Sequence, residues 1–285
     1  MLCKELREKV NYGWTIIKII KKENDELYLK DVLILKNEKL SEEIYKLTFK
    51  DKEISQKSKM GQFLEIKAGQ GIDNLLRKPI SINNVIEDEI TLLYKVVGNG
   101  TEKLSKYKKD DKISVLGPLG NGFPEIENKE VLLVAGGIGY GPFSYVMQKI
   151  KDWKLFYGVR DKKELVLDEY MRYEKEGKAI LLTDNGSYGK KGYITVELEE
   201  YLKSNKKDKV IFCCGPEIMM KKVSEIANMY SVPAYLSLET YMGCGIGACL
   251  GCAQKIKNKN REKGWEYKKV CKDGPVFKAD EVIWE

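Results

Sequence analysis

Between Val32 and Leu116 the apolar residues fall in short alternating or β-branched runs: Val32–Leu35, Ile44–Phe49, Phe63–Ile66, Ile90–Val97 and Lys112–Leu116. Gly, Asn or Asp turn signals bound each run and helical periodicity is scarce, which predicts strands closing into a small antiparallel barrel. The texture changes near Asn128. Val131–Ala135, Lys154–Val159, Ala179–Thr183 and Val210–Cys214 have the length and apolar content of buried strands. They alternate with helical patterns at Phe143–Ile150, Leu165–Glu176, Val196–Leu202 and Glu217–Met229, and such alternation predicts a parallel α/β sheet. From Glu239 onward the chain holds four cysteines and many glycines with little apolar material, a segment that needs a metal staple to fold. The expected fold class is multidomain, β plus α/β: an antiparallel barrel over 31–127, a parallel-sheet domain over 128–238 and a small cysteine-bearing domain over 239–285. Residues 1–30, rich in Lys and Glu with an apolar patch at Trp14–Ile20, read as an N-terminal extension with no assigned role.

Composition narrows the chemistry. The 285 residues include seven cysteines and no histidine. That excludes Ser-His-Asp and Cys-His nucleophilic machinery, His-ligated zinc or haem, and a Rieske-type cluster. Proton handling near neutral pH falls to carboxylates, Lys, Cys, Tyr or a cofactor. The net charge of +7 comes from 50 basic and 43 acidic residues. The basic residues are almost all dispersed Lys, with arginine only at Arg7, Arg77, Arg160, Arg172 and Arg261, which indicates a solvated surface and no nucleic-acid footprint. No apolar run approaches the roughly 18 residues of a membrane span. Trp14–Ile20 is interrupted by Lys18 and lacks a small-residue cleavage site, so it does not read as a secretory signal. A cytoplasmic location is expected, and there clustered cysteine indicates metal or redox chemistry before disulfides.

Cys244, Cys249, Cys252 and Cys271 have the spacing C-x4-C-x2-C followed by x18-C. This is the plant-type pattern of a 2Fe–2S site, with three thiolates on one loop and a fourth from further along. Gly243, Gly245, Gly247 and Gly251 let the loop fold tightly and aim backbone N–H groups at sulfur. Four thiolates also suit tetrahedral zinc, although zinc sites usually show two short-spaced cysteine pairs. Cys3 reads as an incidental thiol, and Cys213 and Cys214 as core residues ending a strand.

Three loops follow predicted strands of the α/β half, where ligands bind in open parallel sheets. The first is Gly136-Gly137-Ile138-Gly139, out of register with the dinucleotide fingerprint but able to admit a pyrophosphate. The others are Thr183-Asp184-Asn185-Gly186-Ser187 and Cys214-Gly215-Pro216. Each is also ordinary turn chemistry, and together they favour a nucleotide site. In the barrel half, Leu76–Ile82 sets two cations and a hydroxyl on one strand edge, and Val97–Thr101 could cradle phosphate through backbone N–H groups, although composition alone favours two ordinary polar loops of a β-barrel.

The chain resembles the ferredoxin-reductase superfamily, and within it the electron-transfer subunits of NAD-dependent, class B dihydroorotate dehydrogenases. The stretches Ser237–Glu239, Met242–Cys249 and Lys269–Phe277 carry the resemblance, which extends from about residue 31 to the end. It implies that Lys78-Pro79-Ile80-Ser81 stands for the family's Arg-Pro-x-Ser FAD motif. Lys replaces the usual Arg, which removes bidentate phosphate binding, and Arg77 is the candidate to compensate. It also implies FAD contacts from Leu93-Tyr94-Lys95 and Gly100-Thr101. Gly136, Gly137 and Gly139, with Thr183 and Asp184, would meet NAD(H), and Cys214-Gly215-Pro216 would lie near the nicotinamide, with Cys214 as candidate catalytic residue. The four clustered cysteines correspond to the 2Fe–2S ligands.

The implied activity is an oxidoreductase relay between NADH, FAD, the 2Fe–2S cluster and a partner catalytic subunit. That partner would contain FMN and interconvert dihydroorotate and orotate in pyrimidine synthesis, with electrons flowing physiologically from dihydroorotate to NAD+, in a heterotetramer of two subunit pairs. Alternatives are a subunit of the same design serving a sulfite reductase, a hydrogenase or a ferredoxin–NADP oxidoreductase, and a zinc-stapled module without redox activity. The choice of NAD or NADP stays open: no acidic residue is clearly placed to read a ribose, and Arg160 follows the second strand of the sheet.

Overall fold

A computed structural model describes residues 28–69, 75–205 and 207–284. The expected extension over 1–30 therefore lies almost wholly outside the described residues. Strands β1 (Leu29–Lys39), β2 (Ile44–Lys50), β3 (Phe63–Lys67), β4 (Lys78–Ile86), β5 (Glu89–Lys95) and β6 (Lys112–Leu119) close into an antiparallel barrel in the order β1-β2-β5-β4-β3-β6. The alternation in the sequence is the alternation of the barrel: Ile44, Leu47, Phe49, Leu64, Ile66, Ile82, Leu92 and Val115 fill an interior with almost no exposure. The strand edge around Lys78 proves to be the nine-residue β4, and the Val97–Thr101 loop runs into a short helix, α1 (Asn99–Ser105).

The second unit is a seven-stranded sheet built on β7 (Glu130–Gly136), β8 (Trp153–Val159), β9 (Ala179–Thr183), β10 (Lys190–Lys191), β11 (Lys209–Cys214) and β12 (Ala234–Ser237). All six are parallel, in the order β10-β9-β8-β7-β11-β12. Every residue of β7 and β11 is buried, which explains their unbroken apolar runs. The direction of strand addition reverses at β7, so the crevice beyond the carboxyl ends of β7 and β11 is the topological switch point.

After a two-stranded hairpin, β13 (Ala253–Lys257) and β14 (Trp265–Lys269), the chain returns and adds β15 (Val276–Lys278) antiparallel to β12. The C-terminal segment thus completes the sheet as well as carrying the cysteines. Among the described residues no helix is long and apolar enough to cross a membrane.

The units share one seam. Phe123, in the link from barrel to sheet, stacks on Phe212 of β11 with ring centroids 4.4 Å apart and lies 5.9 Å from Phe143. Buried Asn83 of β4 donates to the Gly141 carbonyl at 2.7 Å and to Ser144 at 3.2 Å, and the Tyr145 hydroxyl donates to the Ser58 carbonyl. Asn121 Nδ2 reaches the carbonyls of Lys272 and Asp273, tying in the cysteine segment. Phe123→Ala should therefore cost about 3–5 kcal/mol and lower the melting temperature of barrel and sheet together, as followed by circular dichroism and tryptophan fluorescence; a barrel-only transition would contradict a shared core.

Candidate functional site

The four clustered cysteines meet on the face of the molecule that adjoins the barrel. They fall into two pairs: the thiols of Cys244 and Cys249 interact, as do those of Cys252 and Cys271. Backbone N–H groups surround them. Ala248 and Cys249 donate to Cys244 Sγ at 3.2 and 3.4 Å, Gly251 to Cys249, Gly247 to Cys271 at 3.2 Å, and Cys271 to Cys252. Burial works against ionisation of Cys244, but the N–H groups of Ile246, Cys249 and Ala248 and the Cys249 thiol outweigh it and bring its pKa down to about 7. Burial drives Cys271 upward. Six N–H donors on four sulfurs are what a cluster rich in negative charge on sulfur requires, and two pairs suit two irons with two thiolates each. Cys252 and Cys271 are buried while Cys249 is exposed, which leaves one edge of the centre facing outward.

On the barrel, the two adjacent cations have different surroundings. Arg77 donates to the Ser114 carbonyl and hydroxyl, each at 2.9 Å, and to the Glu65 carbonyl at 3.3 Å. It is a strut between strands, and burial lowers its pKa. Lys78 instead lies directly over Gly100 in the first turn of α1, where any Cβ would collide with its methylene chain and come within 3.2 Å of Nζ. Helix first-turn N–H groups have no partner within the helix, so an ammonium and free donors converge here as a phosphate group needs. The Thr101 hydroxyl accepts from Val97 N at 3.0 Å and donates to the Gly98 carbonyl, which shapes this turn. Pro79 is exposed, Ile80 is buried, and Ser81 faces the seam, 3.8 Å from where a Cβ on Gly141 would stand. Leu93 is buried. Tyr94 is stacked on Tyr45 and donates to Asn37 at 3.0 Å; burial raises its pKa. Lys95 pairs with Glu43 and with Glu164 of the sheet unit. The side chains of Tyr94 and Lys95 are thus engaged by protein partners.

At the switch point, the glycines act chiefly on one another. A Cβ on Gly139 would run into the Cys214 carbonyl and stand 2.6 Å from the Gly215 Cα, and one on Gly215 would stand 2.9 Å from the Gly136 backbone. The loops after β7 and β11 are therefore in backbone contact. Gly137, with φ +55°, is the glycine of this turn that faces open space. Pro216 packs against Gly136. Thr183 is fully buried, its hydroxyl exchanging hydrogen bonds with both backbone groups of Tyr188, so it builds its own turn; Asp184 beside it is exposed. Cys214 is buried and points at Glu239, whose carboxylate accepts from the thiol at 4.0 Å. Burial, then the charge of Glu239, push the Cys214 thiol well up, so it stays protonated. Glu239 is open to solvent but surrounded by protein, which raises its own pKa. Sequence alone gives no site role to Glu239, Asn83 or Glu65; their signal is a polar residue within an apolar strand or next to a motif, visible only once the partners are in place.

A six-stranded barrel docked against the switch point of a parallel sheet is the architecture of the ferredoxin-reductase class. A structure described as an NADH-dependent reduced ferredoxin–NADP oxidoreductase, solved for insight into flavin-based electron bifurcation, matches with a TM-score of 0.75 and 30% identity over 89% of this chain and 90% of that one. Residues 133–225 match the oxidoreductase NAD-binding domain, and residues 239–283 match the iron–sulfur cluster binding domain of dihydroorotate dehydrogenase B. The dihydroorotate dehydrogenase B (NAD+) electron transfer subunit of Caldanaerobacter subterraneus subsp. tengcongensis is 41% identical over 251 residues, covering 88% of this chain and 97% of the relative. That of Clostridium acetobutylicum is 41% identical over 256 residues, covering 88% and 95%. The chain belongs to the family of dihydroorotate dehydrogenase B electron transfer subunits. Cys249→Ser should bleach the visible iron–sulfur absorption and leave flavin absorption in place; an unchanged spectrum would remove Cys249 from the ligand set.

Proposed function

We propose that this chain carries electrons between NAD(H) and a partner FMN-containing dihydroorotate dehydrogenase catalytic subunit, working in the cytoplasm as half of each pair in a heterotetramer. The observation that carries this reading is the contact of the cysteine loop with the flavin-motif side of the barrel: Gly245 packs directly on Glu65 of β3, whose register partner on β4 is Pro79. When bound, FAD exchanges a hydride with nicotinamide in a two-electron step and electrons one at a time with a 2Fe–2S centre.

The residues have separable tasks in this reading. Lys78 and the first turn of α1 hold the FAD phosphates, and Ser81 faces the seam where the two units meet. The glycine turns after β7 and β11 bring backbone within reach of a dinucleotide, with Gly137 offering the open approach. Cys214, kept protonated, presents a neutral thiol at the switch point and Glu239 a carboxyl beside it. Asn83, Phe123 and Asn121 keep the parts in register. Exposed Cys249, followed in the chain by exposed Leu250, marks the edge that the catalytic subunit covers.

A second reading is favoured by the 30% likeness to the ferredoxin–NADP oxidoreductase structure: the same relay serving ferredoxin. The two separate in one assay. Purified with the cognate catalytic subunit, the protein should support NAD-linked dihydroorotate oxidation that neither chain shows alone; failure there, together with NADH-dependent ferredoxin reduction, selects the second reading. Within either, Lys78→Ala should weaken FAD binding by roughly tenfold to a hundredfold, as loss of a charged hydrogen bond does, and Lys78→Arg should retain it. Flavin titration of the apoprotein measures both.

A further inference from the structure

Glu65 is a fully buried acidic side chain in the barrel wall. It sits in the middle of β3, in the stretch Phe63-Leu64-Glu65-Ile66, with no exposed surface at all. Both carboxylate oxygens are buried without a hydrogen-bond partner. A carboxylate in that condition costs several kcal/mol relative to an apolar residue of like size, so barrel stability does not account for it.

Its neighbours are the cysteine loop and the two cations of the flavin motif. Gly245, one residue beyond Cys244, has φ +70° and lies so close that a Cβ would stand 2.6 Å from Glu65 Cγ and 2.7 Å from Oε1. The charged and titratable groups that act on it are Arg77, just before β4, Lys78 at the start of β4, and Cys244 from the loop. Burial raises the Glu65 pKa to about 7, with Arg77 opposing. The Arg77 guanidinium is directed to Ser114 and to the Glu65 carbonyl, so it faces the carboxylate without bonding it.

We propose that Glu65 is a tuning residue for the 2Fe–2S centre, its buried carboxylate lowering the reduction potential of the cluster through the Gly245 contact. Reduction adds one electron to the cluster and changes no bond at Glu65, so the effect is electrostatic. A fixed negative charge in a region of low dielectric disfavours the added electron, and the reduced centre becomes the stronger donor. The inference rests on the four cysteines holding a 2Fe–2S cluster; wild-type protein with flavin but no iron–sulfur EPR signal after reduction would overturn both readings, whereas the outcomes below concern Glu65 alone.

The test is an EPR-monitored redox titration of the FAD-loaded full chain at pH 9, on the alkaline side of the value to which burial raises the carboxyl. Glu65→Gln should raise the cluster midpoint potential with spin count and flavin spectrum unchanged, and Glu65→Asp should stay nearer to wild type. If Glu65→Gln does not assemble its cluster, Glu65→Asp and Glu65→Asn form a second pair of equal size differing in charge, and Asn should lie at the higher potential. Equal potentials within either pair, or loss of the cluster in all three variants, would overturn the proposal and leave Glu65 as packing.

Discussion

Phe123 lying flat on Phe212 joins two domains whose geometry has to be fixed if electrons are to pass between them. Domain interfaces within a chain are ordinarily polar and permit relative motion. Here the apolar cores of barrel and sheet run together: Leu64, Leu92 and Leu93 of the barrel belong to one buried cluster with Val131, Tyr140, Phe143 and Phe212. A second cluster joins Phe63 and Leu119 to Leu132 and to Phe277 and Cys252 of the cysteine segment. Polar groups in the seam are few and paired, as with Asn83 on Gly141 and Ser144. An isolated cysteine segment has little apolar surface of its own. By returning as β15 to pair with β12, it takes its stability from the sheet and its position from the barrel.

Some of this was legible in the chain and some was not, for a physical reason. Val131–Ala135 and Val210–Cys214 read as buried strands because both their faces are covered, so burial leaves an unbroken apolar run. The cysteine spacing is readable because three of the four clustered cysteines lie within nine residues and local backbone alone folds them together. By contrast β15 is three residues long, and nothing local distinguishes it from a loop; its pairing partner is some forty positions earlier. The choice between Arg77 and Lys78 was likewise beyond sequence. Neighbours on a strand point to opposite faces, and only the register shows that one meets Ser114 while the other meets Gly100. The glycines after β7 stand out in the sequence, but most of their necessity comes from the loop after β11, which sequence places more than seventy residues away.

The cysteines show that environment decides what a residue type can do. Cys213 and Cys214 end a strand with every residue buried, and burial raises both thiols. No backbone donor is aimed at them because the N–H groups of β11 are taken by β7 and β12. Cys244 has the same side chain in a loop whose N–H groups have no strand to pair with, and those groups turn onto sulfur and favour the thiolate. A strand cannot offer this, since its ladder consumes its donors. The glycine-rich loop therefore gives cysteine sulfur the backbone donors that a strand withholds. With no histidine in the chain, the proton-bearing groups near the seam and the cysteine loop include a neutral thiol and two carboxyls whose pKa values are raised by the protein around them. That set suits a protein which orients bound redox groups and sets their potentials while the groups themselves supply the chemistry.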